Sequence, residues 1–151
     1  MERIIADTNI LLRSVEPSHE SHFTAVNALV ILTADYGEIC VFPQNLVEFW
    51  NAATRPLANN GLGWDAMAVE KEINRIESLF TILQDSEFIH QEWKTIVSEK
   101  SVLGKQVHDA RIAATMKVHG VSKILTFNVK DFARFDSVEV IDPNILLSTD
   151  N

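Results

Sequence analysis

Met1-Glu2-Arg3-Ile4-Ile5-Ala6-Asp7-Thr8-Asn9-Ile10-Leu11-Leu12 opens the chain, an apolar run that stops on an aspartate and resumes. Arg3–Ala6 is short and apolar enough for a buried strand. Asp7, Thr8 and Asn9 are the residue types that turn a strand into a helix, because short polar side chains accept from the free N–H groups of a first turn. The pattern predicts a helix from about Asn9 to Val15, with Pro17 beyond it. A strand ending in an acid at the start of a helix is the unit from which parallel sheets with ligand sites at their carboxyl ends are assembled.

The alternation continues along the chain. A second helix is expected from Ser18 or His19 to Ala34, with Gly37 past its end, then a strand over Glu38–Phe42 and a helix opened by Pro43. Arg55–Gly63 (RPLANNGLG) reads as a loop inside one domain. Asp65 is the expected N-cap of a helix carrying Val69, Ile73, Ile76 and Phe80 at helical spacing, and Phe80–Leu83 a third strand. Ile89, Trp93 and Ile96 mark another helix, and Lys105 to His119 a further one closed by Gly120. Ser122–Phe127 (SKILTF) and Val138–Ile141 complete about five strands before Pro143. Strands separated by helices require right-handed crossovers, so the fold class is α/β: three layers, with a central parallel sheet flanked by helices.

A chain of 151 residues, 46% hydrophobic, fits a single domain over residues 1–151 with a core large enough to need no disulfide. Cys40 is the only cysteine, which excludes an intramolecular disulfide and a cysteine-rich zinc site. No stretch approaches the roughly 20 apolar residues of a membrane span, and the first residues do not read as a signal peptide, so a cytoplasmic protein without membrane attachment is expected. The charge balance, 13 basic against 21 acidic residues for a net −8, argues against a protein that coats nucleic acid with cations. It leaves room for an acidic metal site.

Asp109 is the most informative acid. Asp109, Ile112, Ala113 and Met116 fall at i, i+3, i+4 and i+7, so the carboxylate shares the apolar stripe of its helix and needs a cation, a donor or a metal there. Asp7 reads equally well as a helix cap or as a functional acid. Asn128 and Asp131 follow the strand ending at Thr126 and could be a capping box instead of a site. Glu48 has no support from periodicity: Leu46, Phe49, Trp50 and Ala53 cluster on one face, and Glu48 projects away from it toward solvent. Carboxylates gathered at one sheet edge would hold a hard divalent ion such as Mg²⁺ or Mn²⁺. His19, His22, His90, His108 and His119 show no soft-metal spacing; His19 and His22 read as a surface pair, and His108 as a solvated neighbour of Asp109.

Four segments in order, Met1–Leu12 (MERIIADTNILL), Phe42–Trp50 (FPQNLVEFW), Val107–Ala114 (VHDARIAA) and Leu125–Phe132 (LTFNVKDF), resemble the successive motifs of PIN-domain nucleases, and of these most nearly the VapC-type toxins of bacterial toxin–antitoxin modules. The resemblance implies an Mg²⁺- or Mn²⁺-dependent endoribonuclease that cuts structured RNA such as tRNA. It places the family's acids on Asp7, Glu48 and Asp109, hydroxyls near the site at Thr8 and Thr126, and Asn128 where many relatives carry an aspartate, with Asp131 as the nearby carboxylate. It overrides the outward reading of Glu48. Asp7, Asp109, Glu48 and Asn128 are the implied metal ligands, and Lys105, Arg111, Lys130 and Arg134 candidate phosphate contacts. A cognate antitoxin that occludes the site and a homodimer are the implied partners. Two alternatives stand beside this reading: a catalytically impaired PIN-like module that binds RNA or protein, and a phosphatase of the haloacid dehalogenase type. The latter needs a second aspartate where this chain has Asn9.

Overall fold

The centre of the sheet is the first strand, and its composition explains why. In the computed structural model, which describes residues 2–149, β1 (Arg3–Ala6), β2 (Glu38–Val41), β3 (Thr81–Ile82), β4 (Lys123–Leu125) and β5 (Glu139–Ile141) are all parallel, in the order β3-β2-β1-β4-β5. Ile4, Ile5 and Ala6 are fully buried, as a strand covered on both faces must be. Ile5 pairs with Cys40 on one side and Ile124 on the other, which aligns the carboxyl ends of the three central strands.

Alternate residues feed two cores. Ile4, Ala6, Val41 and Leu125 pack with α1 (Thr8–Ser14), α2 (His22–Tyr36), α3 (Pro43–Thr54) and α4 (Ala66–Leu79) through Ile10, Leu32, Phe49 and Val69. Ile5, Cys40 and Ile124 pack on the opposite face with α6 (Val107–His119) and α7 (Val129–Ala133) through Ala113, Met116 and Phe132, and α5 (Ile89–Glu99) adds Trp93 and Ile96. The last helix, α8 (Pro143–Thr149), lies on the first face through Leu146 and Leu147. This is the three-layer α/β arrangement expected from the alternation. Among the described residues no helix is long and apolar enough to cross a membrane.

Several boundaries differ from the expected ones, each for a local reason. Asp7 caps α1 by accepting the Thr8 N–H at 2.9 Å, so the helix starts at Thr8. The second helix starts at His22, because His19 bonds back to Glu16 O and its ring accepts the Ser21 N–H at 3.0 Å, making turns of residues 18–21. It continues to Tyr36, where Gly37 takes φ 87°. A 3₁₀ turn over Gly104–Gln106 removes Lys105 from the sixth helix, which begins at Val107. The Asn128–Asp131 capping box does not form: Asn128 stands at the N-cap position of α7 without a side-chain cap bond, and its N–H goes to Thr126 Oγ1 at 3.0 Å. Asp65 does cap α4, accepting the Ala68 N–H at 2.8 Å.

The Arg55–Gly63 segment folds back onto the end of α3. Leu62, Gly63 and Trp64 donate their N–H groups to Ala52, Arg55 and Ala53 carbonyls at 3.2, 2.9 and 2.9 Å, satisfying a helix terminus that would otherwise be open. The approach is so close that a Cβ on Gly61 would lie 2.0 Å from Arg55 O.

Candidate functional site

Aligned strand ends place the chain's acids together. Asp7 ends β1 and is only 5% exposed. Its Oδ1 accepts the Thr8 N–H at 2.9 Å, and its Oδ2 accepts the Thr126 hydroxyl at 2.7 Å and the Asn9 amide at 3.3 Å. Asn9 also donates to Thr126 Oγ1 at 3.1 Å and accepts the Phe127 N–H at 3.2 Å, tying β1 to the segment after β4. Burial pushes the Asp7 carboxyl above its usual range; the Thr126 and Thr8 bonds oppose that, and the Asp131 charge adds to it.

Beside Asp7 lies a groove of about 870 Å³, whose lining includes Thr8, Glu48, Lys105, Asp109, Asn128 and Asp131. Glu48 is pushed up to about 7, first by burial and then by the charge of Asp7, against a long hydrogen bond donated by Gln44 at 3.4 Å. Asp109 is pushed up to about 6 by burial and by the charges of Asp7 and Asp131, with Lys105 pulling the other way. Acids from α3, α6 and α7 therefore share a single groove, and Asp7, between β1 and α1, acts on Glu48 and Asp109 through its charge. Such mutual destabilisation is common at functional sites.

The outward reading of Glu48 from helix periodicity is corrected here. Phe49 and Ala53 are fully buried against the sheet, but Trp50 is 37% exposed and opens onto a separate apolar groove with Leu46, Val47 and Ile73. Between these faces α3 has another stripe, Glu48, Asn51, Ala52 and Arg55 at i, i+3, i+4 and i+7, which lines the acidic groove. Arg55 and Asn51 were not singled out from the sequence, although this spacing is legible in it. Asn45 was also missed. Fully buried at the start of α3, it accepts the Phe42 N–H at 2.9 Å and donates to Thr8 Oγ1 at 3.3 Å.

The candidate cations divide. Lys105 lines the groove; Arg111 and Lys130 do not. Arg111 donates to Gln44 Oε1 at 3.0 Å and lies 3.7 Å from Asp85. Gln44 in turn donates to the His108 carbonyl at 2.9 Å as well as to Glu48, so Arg111 reaches the acids only through that amide. Arg134 is held by Gln106 and by the Lys100 carbonyl. His108 is on the groove wall.

The donor set suits a hard divalent cation: the converging acids offer oxygen, and a cation would offset both the burial and the mutual repulsion that raise Glu48 and Asp109. Among the described residues no three or more acid, histidine or cysteine side chains come together as a group that could hold a metal ion by themselves. Mg²⁺ does not require one, since it keeps several waters and takes one or two carboxylates.

Comparison with known proteins agrees with this architecture. The PIN domain family model matches residues 4–138. Ribonuclease VapC24 of Mycobacterium tuberculosis is 27% identical over 143 residues, covering 91% of this chain and 94% of the relative. Among solved structures, VapBC2 of Rickettsia felis bound to a promoter DNA fragment superposes with a TM-score of 0.67 at 18% identity, over 93% of this chain and 99% of that one. Mycobacterium tuberculosis VapC20, described as a sarcin-ricin loop cleaving toxin, gives a TM-score of 0.62 at 17% identity, over 86% and 93% of the two chains.

Proposed function

The chain belongs to the PIN domain family, and from that premise we propose that it is a divalent-metal-dependent endoribonuclease, the toxin of a VapBC-like toxin–antitoxin pair acting in the cytoplasm. The observation that carries this reading is one groove lined by Glu48, Asp109 and Asp131, with the buried Asp7 close enough for its charge, after burial itself, to help raise Glu48 to about 7 and Asp109 to about 6.

Asp7, Glu48 and Asp109 are the acids that would hold Mg²⁺ or Mn²⁺, with Asn128 as a neutral oxygen donor. The ion would supply Lewis acidity for water activation and for the charge developing on the phosphodiester. The chain's own contributions follow from its contacts. Thr126 and the Thr8 N–H hold Asp7 in one orientation and favour its charged form, and Asn9 locks both to the strand ends. Asp131, which also lines the groove, would accept a proton or orient a water. Lys105 shares the groove with the acids and meets a flanking phosphate. The substrate is a structured RNA: tRNA is the first class to test, and the ribosomal loop named for the VapC20 relative the second. Single-stranded loops are where such RNAs expose bases and backbone together.

The proposed partners are a cognate antitoxin and a second copy of the chain. Support for the antitoxin is the likeness to VapBC2 and the apolar groove of Leu46, Val47, Trp50 and Ile73, which shares Val47 and Asn51 with the acidic groove. An extended segment lying across both would block the acids.

The test is cleavage of purified tRNA and ribosomal RNA with Mg²⁺ or Mn²⁺ by the wild type, Asp7→Asn and Asp109→Asn. Each substitution is expected to lower the rate roughly 100-fold or more, and chelation to abolish cleavage. Undiminished cleavage by both variants would refute the assignment. Asn128 supports the alternative of a non-cleaving RNA-binding module, because the amide carries no charge for a second ion. RNA binding by the wild type without metal-dependent cleavage of either RNA would establish that alternative.

A further inference from the structure

Arg55 is a cation that the chain positions without an ion-pair partner among the described residues. It closes α3 on the same stripe as Glu48, two turns further along, a separation of about 10 Å along the axis. It lines the acidic groove, yet no carboxylate lies within ion-pair distance of it among the described residues. Its Nη2 makes one long hydrogen bond, 3.4 Å to the Asn60 carbonyl, and its Nε is buried without a partner. Lys105, the other cation of the groove, differs in that it acts on Asp109.

The backbone around Arg55 is fixed with care. Its N–H bonds to Asn51 O at 3.1 Å and its carbonyl accepts the Gly63 N–H at 2.9 Å. Asn60, whose carbonyl is the only acceptor for the guanidinium among the described residues, sits at φ 62°, and Gly61 passes where no Cβ could fit. A buried donor without an acceptor is costly, and a single long bond holds the guanidinium weakly in its resting place. Turning that fork toward an anion therefore sacrifices little.

Resting on the RNA-cleaving reading of the groove, we propose that Arg55 binds a backbone phosphate of the RNA, on a nucleotide beyond the one being cut. A guanidinium fork pairs bidentately with phosphate. Two helical turns from Glu48 place it beside the reacting phosphodiester and not on it. Arg55 is a positioning residue that adds affinity for any sequence.

The experiment measures binding of a labelled pool of short random-sequence single-stranded RNA over a salt series, in the Asp109→Asn background that suppresses cleavage. Arg55→Gln, which keeps most of the stem, is expected to weaken binding about 3- to 10-fold and to lower the slope of log K against log salt by about 0.7. Arg55→Lys is expected to keep that slope while losing part of the affinity, since it retains the charge but not the fork. Unchanged affinity and slope in a folded Arg55→Gln protein overturn the proposal; if that variant does not fold, unchanged affinity in Arg55→Lys does so. In the wild-type background, loss of Arg55 is expected to raise KM with little change in kcat. A wild type that cuts RNA while Arg55→Gln behaves as its parent removes the Arg55 assignment alone. A wild type that neither binds nor cuts RNA with Mg²⁺ removes the nuclease reading and this inference together.

Discussion

A carboxylate that must carry charge in a buried place needs help from its neighbours, and Asp7 shows how little suffices. One hydroxyl, one backbone N–H and one amide surround it, and the hydroxyl bond is the shortest of the three, at 2.7 Å from Thr126. Thr126→Val keeps the shape of the side chain and removes that donor. The Asp7 pKa is then expected to rise further and metal affinity to fall roughly 10- to 100-fold, measured by Mn²⁺ titration. Affinity equal to wild type would mean that the hydroxyl does not hold the carboxylate for a cation. The place of Asp109 in the groove is legible in the sequence because a carboxylate on an apolar stripe stands out. Glu48 is not: helix periodicity identifies the face toward the sheet, and the groove lies on another. Asn45 is harder still, since a buried amide has no sequence signature apart from the partners that the fold brings to it, whereas Arg55 shares the i, i+7 spacing of Glu48 and is legible only once the groove face of α3 is known.

At the scale of elements, strand cores are legible and ends are not. Ile4–Ala6 and Ile124–Leu125 are apolar enough to be read as buried strands, while composition also includes Ser122, Thr126 and Phe127, which the ladder excludes. Periodicity puts the start of α2 too early, because the turns at His19 and Ser21 use side-chain and backbone bonds that it does not contain. The loop after α3 is the element with the sharpest steric constraint. Gly61→Ala would drive a Cβ to 2.0 Å from Arg55 O and 2.3 Å from Arg55 Cβ, so the loop must move. A cost of about 1–3 kcal/mol is expected, as for other overpacked sites, read as a lower midpoint in urea. A midpoint equal to wild type would show that the loop is free to shift.

For the whole molecule, the acid cluster sets a conflict between stability and function. Glu48 has an ordinary value of 4.5 and is raised to about 7 in the fold, so between those values the native state holds a proton that the unfolded chain has released. The stabilising contribution of that proton is complete below about 4.5 and is lost as pH rises toward about 7. In the presence of a chelator, melting temperature from this group should fall over that window. Glu48→Gln should flatten the profile and gain roughly 2–4 °C at pH 8, the shift that about 1 kcal/mol produces in a chain of this size, the open groove screening part of the repulsion. A variant that melts below wild type at pH 8 without metal would contradict this. The net charge of −8, which counted against RNA in the sequence, acquires a different meaning: part of it is concentrated where a cation would neutralise it.

The bond between Asp7 and Thr126 spans 119 positions of the chain, and β1 is flanked by one strand made early and another made late. During synthesis, at about 5–20 residues per second, the first acid emerges long before the hydroxyl that orients it and before Asp109 and Asp131. On the proposed nuclease reading, a growing chain on the ribosome would carry no finished site, and RNA in its immediate surroundings would be spared until the last strands dock.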